Sequence, residues 1–175
     1  MASATTDALL NPACTEPALT HAIVTGVDSA LNMCGSSAKC VGVSAVPTGH
    51  PQPVTAMIGV HGKVSGFVWT SFSERMAIKV VEGMVQDKVD GLTAEVVDAV
   101  GELTNIIVGG IKGQLAGTAW AFSHITVPSV IVGDGYQIAY AHGLQFAAVT
   151  FEHDDRQAVL LQDRMMQVSI SLLRL

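Results

Sequence analysis

The chain has 175 residues, 49% apolar and only 14% charged, with nine Lys and Arg against fifteen Asp and Glu and a net charge of −6. So much apolar surface excludes intrinsic disorder, and the few, scattered bases on a negative chain speak against a nucleic-acid partner. The most apolar stretch, Val54 to Val68, is broken by His61 and Lys63, well short of the ~20 residues of a membrane span. An average domain carries about 25% charged residues, so a chain this poor in charge calls for burial on two sides or for an oligomer.

Residues 1–14 carry Ala, Ser, Thr, Asn and Pro without a period and predict a flexible lead-in, with one domain over 15–175. The first basic residue is Lys39, so the N-terminus lacks the positive n-region of a signal peptide. Three cysteines, Cys14, Cys34 and Cys40, form an odd, sparse set that fits free thiols and a cytoplasmic location. A helix is predicted from Thr15, with Pro17 near its start, Ile23, Val27, Ala30 and Leu31 on one face, and Gly35 closing it. Strands follow at 39–46, 54–61 and 64–72, the last two bracketing a tight turn at Gly62. Ser73 suits the N-cap of a helix reaching about Lys88, its inner face formed by Met76, Val80, Val81 and Met84.

A longer helix is predicted from Leu92 to about Leu115, then strands at 119–126, 129–133, 144–152 and 166–173. In the last of these Val168, Ile170 and Leu172 alternate with Ser169 and Ser171, as in a half-buried strand. Residues 154–165 read equally as a hairpin or a helical turn. The expected fold class is α+β, a largely antiparallel β-sheet with two long α-helices packed on it.

The long helix is the informative element. At about 100° per residue, Val96, Val100, Leu103, Ile107, Ile111 and Leu115 belong to a broad apolar arc, and Glu95, Asp98, Glu102, Asn105 and Lys112 fall together on the other side. Five of the fifteen acids lie between Asp87 and Glu102 against one base, Lys88. Like charges three and four apart weaken a helix by a few tenths of a kcal/mol per pair. Gly101, Gly109, Gly110 and Gly113 cost it up to ~1 kcal/mol each relative to Ala. Periodicity alone allows a solvated face with glycines for helix packing.

The spacing says more. Asp98, three residues, Glu102, two residues, Asn105, then twenty-two residues and Pro128 resembles the signature of the CheC/CheX/FliY family of bacterial chemotaxis phosphatases. The blocks Ala56 to Gly66, Ser73 to Ala77 and Pro128 to Gly135 are similar to that family's hairpin, following helix and later strand. CheX is the nearest branch, because the first helix lacks the second Glu-x-x-Asn of CheC.

The resemblance implies a phosphatase for the phosphoaspartate of a phosphorylated CheY-type response regulator. Asn105 would orient the attacking water, Glu102 would dock on the regulator's active-site lysine, and Glu95, Asp98 and Gly109 would contact the partner. No cofactor is expected in this chain, the Mg²⁺ arriving with the regulator. The resemblance also implies a homodimer with the sheet continuing across it. The alternative is a non-catalytic CheC-like binding or adaptor module of a chemotaxis or flagellar-switch complex.

Other constellations are weaker. His21, His50, His61, His124, His142 and His153 include no two at metal-ligand spacing, so no metal site is expected. Gly133-Asp134-Gly135 lacks the lysine of a phosphate loop and reads as a turn. Trp69 and Trp120 are expected in strands, packed against the helices.

Overall fold

The structure, a computed structural model, describes residues 17–44, 52–138 and 143–175. The expected lead-in, Cys14, Thr15 and the last two positions of the strand predicted at 39–46 lie outside the described residues. The elements run in the order α1 (Pro17–Met33), β1 (Ala38–Ser44), β2 (Val54–Gly62), β3 (Val64–Phe72), α2 (Glu74–Val85), α3 (Ala94–Leu115), β4 (Phe122–Ile125), β5 (Ser129–Val132), β6 (Gln145–His153) and β7 (Met165–Arg174). The seven strands form one sheet in the order β1-β6-β7-β3-β2-β4, with β5 also pairing with β2. Every pairing is antiparallel, as expected for this α+β fold.

Alternation along the strands assigns the two sheet faces. Val54, Ala56, Ile58 and Val60 of β2, Val68 and Phe72 of β3, and Met166, Val168, Ile170 and Leu172 of β7 are buried beneath the helices. The opposite face carries a smaller cluster of Trp69, Phe146 and Ala148, with Met57 and Ile138 packed against it. Trp69 therefore lies in a strand but faces away from the helices, its ring centroid 5.7 Å from that of Phe146. Two-sided burial of the central strands accounts for part of the apolar excess in the composition.

The two long helices, α1 and α3, cross where glycines let their backbones meet. A Cβ on Gly26 would lie 3.0 Å from the Ile107 carbonyl oxygen, and one on Gly110 would lie 3.1 Å from the Gly26 Cα. The shorter α2 begins at its predicted cap: Ser73 Oγ accepts from the Met76 amide at 3.1 Å and donates to the Asp163 carbonyl at 2.9 Å. It ends three residues before Lys88, where Gln86 takes a left-handed conformation with φ of 56°.

Two segments differ from the pattern-based expectation. The strand predicted at 119–126 shrinks to Phe122–Ile125, because Gly117 takes a φ of +79° and the Thr118 hydroxyl donates to the Leu115 carbonyl. These contacts close the C-terminus of α3 and turn the chain through residues 116–121. Residues 154–164, read as a hairpin or a helical turn, form no hairpin and close in a helical turn only at their end. Arg75 holds Asp155 at 2.6 Å, and the segment ends in a single 3₁₀ turn, Leu161–Arg164.

Candidate functional site

The rotation of α3 decides which of its side chains reach solvent. Thr93 caps the helix, its side chain accepting from the Val96 amide. Val96, Val100, Leu103, Ile107, Val108, Ile111 and Leu115 are buried against the core. Two other residues join that inner face although neither is a large apolar side chain. Gly101 is buried, and a Cβ there would sit 3.5 Å from both Pro128 Cγ and Val130 Cγ2. Thr104 is fully buried; its hydroxyl donates to the Val100 carbonyl at 2.8 Å and lies 2.6 Å from the hydroxyl of Thr70 on β3, also fully buried.

Between these buried positions the chain turns outward. Glu95, Asp98 and Glu102 are exposed and Asn105 is half-buried, so the polar stripe expected from the spacing lies on the open face of α3. Pro128, distant in sequence, packs on Gly101, the residue immediately before Glu102. The distant proline of the extended motif thus meets its helical part in space.

The stripe is not uniform in its partners. The Thr93 hydroxyl and Glu95's own amide hold the Glu95 carboxyl below the usual carboxylate range, which gives that residue a part in the start of the helix. Asp98, Glu102 and Asn105, by contrast, make no side-chain hydrogen bond or ion pair to any described residue. A carboxylate and a carboxamide one helical turn apart, both unspent, can together engage a cation and a water or phosphoryl oxygen brought by another molecule.

The glycines divide in the same way. Gly110 and Gly101 face neighbours inside the fold, whereas a Cβ on Gly109 or Gly113 would meet no described residue within 4 Å. Close approach to α1 therefore explains Gly110, Gly101 meets Pro128 and Val130 at ordinary contact distance, and Gly109 and Gly113, which continue the stripe beyond Asn105, have no cause among the described residues. Lys112 lies half-buried at the C-terminal end of that stripe.

No group of three or more His, Cys, Asp and Glu that could hold a metal occurs among the described residues. His61 and His124, far apart in sequence, are opposed across β2 and β4. Their rings turn to different serines, His61 Nδ1 to Ser65 Oγ and His124 Nδ1 to Ser123 Oγ. Gly133 and Gly135 both have positive φ, in keeping with a turn. Cys34 and Cys40 are free thiols. Trp120 precedes β4, outside any strand, and is buried with Arg174 4.1 Å from its ring centroid. An open hollow of about 700 Å³ at the start of α2, lined by Gln52, Arg75, Lys79, Asp134 and Asp163 among others, takes no residue from α3. It carries both signs of charge and is separate from the stripe. No helix among the described residues is long and apolar enough to cross a membrane.

Spacing in the sequence singled out Glu102, Asn105 and Pro128, which the fold places on or against α3, but not the buried hydroxyl pair Thr70 and Thr104. The available signal was a hydroxyl at a core-facing position of an otherwise apolar helical arc.

The fold has clear counterparts among solved structures. CheX from Desulfovibrio desulfuricans matches with a TM-score of 0.74 and 25% identity, over 89% of this chain and 99% of that one. A CheX–CheY–BeF₃–Mg²⁺ complex from Borrelia burgdorferi contains a chain matching at 0.71 and 20% identity, over 88% and 97%. FliY from Thermotoga maritima matches at 0.60 and 14% identity, over 86% and 84%. No curated protein sequence matches. The sequence model of the chemotaxis phosphatase CheX matches residues 54–152, from the start of β2 almost to the end of β6 and including the whole of α3. With this stripe on this fold, the chain belongs to the CheX family of chemotaxis phosphatases.

Proposed function

We propose that the protein dephosphorylates the phosphoaspartate of a CheY-type response regulator, with Asn105 orienting the attacking water and Glu102 docking on the regulator. The observation that carries this reading is the unspent pair itself. Glu102 and Asn105 stand one turn apart on an open helix face, and no described side chain uses either of them. The Borrelia complex, in which a CheX is bound to CheY with BeF₃ and Mg²⁺, supports the choice of partner.

The chemistry asks little of the enzyme beyond placement. Water oxygen bonds to phosphorus as the phosphorus–acyl oxygen bond breaks, releasing the aspartate carboxylate and inorganic phosphate. The water's proton passes to phosphate or solvent. Such a transfer is governed by positioning and charge. The Asn105 carbonyl accepts a hydrogen from the water while its amide donates to a phosphoryl oxygen, and a carboxamide cannot act as a base. Glu102 pairs with the regulator's lysine and sets the register. The Mg²⁺ belongs to the regulator, so this chain supplies no metal.

Asp98 and Glu95 extend the acidic approach to that docked lysine, and Gly109 lets the partner's backbone come close to α3. The protein works in the cytoplasm, where such regulators act, as a homodimer whose sheet continues across an edge strand. β1, one edge of the sheet, leaves Val41 and Val43 about half exposed. Light scattering on the purified protein should give twice the chain mass.

The experiment is loss of label from a phosphorylated CheY-type receiver. The wild-type protein should accelerate it, and Asn105→Ala should abolish the acceleration while the melting temperature stays unchanged. Glu102→Ala should act chiefly by raising KM. Full activity in the Asn105 variant would remove the water-orienting role. Binding to the receiver without any acceleration by the wild type would favour the adaptor reading instead.

A further inference from the structure

We infer that the buried hydroxyl pair Thr70–Thr104 is a rotational pin that makes both threonines positioning residues for Glu102 and Asn105; the inference rests on the phosphatase reading above. The inner face of α3 is otherwise held by Val96, Val100, Leu103, Ile107, Val108, Ile111 and Leu115, and apolar contacts are non-directional. The Thr104–Thr70 bond, 2.6 Å long between residues with no solvent exposure, is the one side-chain hydrogen bond seen from α3 to the sheet among the described residues.

Thr104 Oγ1 already donates to the Val100 carbonyl at 2.8 Å, so the Thr70 hydroxyl is the donor between the pair. Turning α3 would strand that donor in an apolar interior, where an unpaired hydroxyl is costly. The pin sits beside the stripe: Thr104 immediately precedes Asn105 and lies two residues after Glu102. Side-chain tips stand about 6 Å from a helix axis, so a rotation of only about 20° would carry them about 2 Å. A misplacement of about 1 Å can cost roughly a hundredfold in rate.

Removing one partner and removing both have different consequences, and that difference makes the test. Thr104→Val leaves the Thr70 donor orphaned and should lower the melting temperature. Thr70→Val with Thr104→Val replaces both hydroxyls by methyls of the same shape and should recover a melting temperature close to wild type. The double variant should nevertheless lose roughly tenfold to a hundredfold in kcat for receiver dephosphorylation, while Thr104→Ser, which keeps the hydroxyl, retains wild-type kcat. A well-folded double variant with wild-type kcat would overturn the inference.

A second readout does not depend on the activity. Backbone amide resonances of residues 100–106 in the free double variant should broaden through exchange between helix rotations, and those of the wild type should stay sharp. Sharp, unshifted resonances in the double variant would equally overturn the pin. If the wild type failed to act on any receiver but the broadening appeared, the phosphatase reading would fall and the pin would stand as a device of the fold.

Discussion

The inner and outer faces of α3 belong to one 22-residue helix and follow opposite rules. On the inner face every unusual residue has a partner: Gly110 lies against Gly26, Gly101 against Pro128, and Thr104 against Thr70. On the outer face Asp98, Glu102 and Asn105 have no side-chain partner among the described residues, and a Cβ on Gly109 or Gly113 would meet no described residue within 4 Å. The same residue type thus has a cause inside the molecule in one place and none a single residue away. The difference separates what the fold requires of this helix from what it leaves available to another molecule.

Substitutions should respect that division. The largest effect is expected at Asn105, where alanine should remove activity and leave stability untouched. Any measurable drop in melting temperature there would mean that the outer face also supports the fold. Next is Gly26→Ala on the facing helix, which places a methyl 3.0 Å from the Ile107 carbonyl oxygen and from Ile111 Cγ1. Overpacking of this kind costs about 1–3 kcal/mol, which chemical denaturation would register as a lower midpoint at unchanged slope.

Gly109→Ala and Gly113→Ala should move stability the other way, each adding up to ~1 kcal/mol because the helix gains propensity and no described neighbour is displaced. Gly109→Ala should also weaken receiver binding in a titration. If it destabilised the protein instead, the open face would not be open.

The smallest effect concerns pH. Glu95 titrates below its ordinary value of 4.5 because the Thr93 hydroxyl and its own amide favour the charged form. Its contribution to the start of α3 is therefore fully present above that value and is lost as pH falls through the lower folded-state value. Amide-exchange protection at residues 94–97, taken relative to the intrinsic rate at each pH, should fall on acidification in the wild type, and Glu95→Gln should flatten that dependence.

Most of the architecture was legible in the residues. The cap at Ser73, the alternation of β7 and the 3.6-residue period of α3 are local signals, set by backbone geometry within a few positions, whereas the Thr93 cap starts α3 two residues after the expected Leu92. The site was legible through spacing: Glu102 and Asn105 share a face wherever the chain is helical, and the further motif with Pro128 linked them to a family. The errors came where local pattern competes with distant contacts. Trp69 fits a strand buried on either face, and nothing nearby in sequence says that Phe146 will cover it on the side away from the helices. The tail of α3 looked extended until Gly117 and Thr118 turned it.

Local chemistry therefore sufficed to say that a carboxylate and a carboxamide would stand side by side on a helix. Whether that pair would face the core, a neighbouring helix or solvent required long-range contacts. Thr70 is 34 positions from Thr104 in the chain, and their contact depends on β3 running beneath α3. Helical period orders side chains around an axis but leaves the rotation of that axis free, and only packing against the sheet removes the freedom.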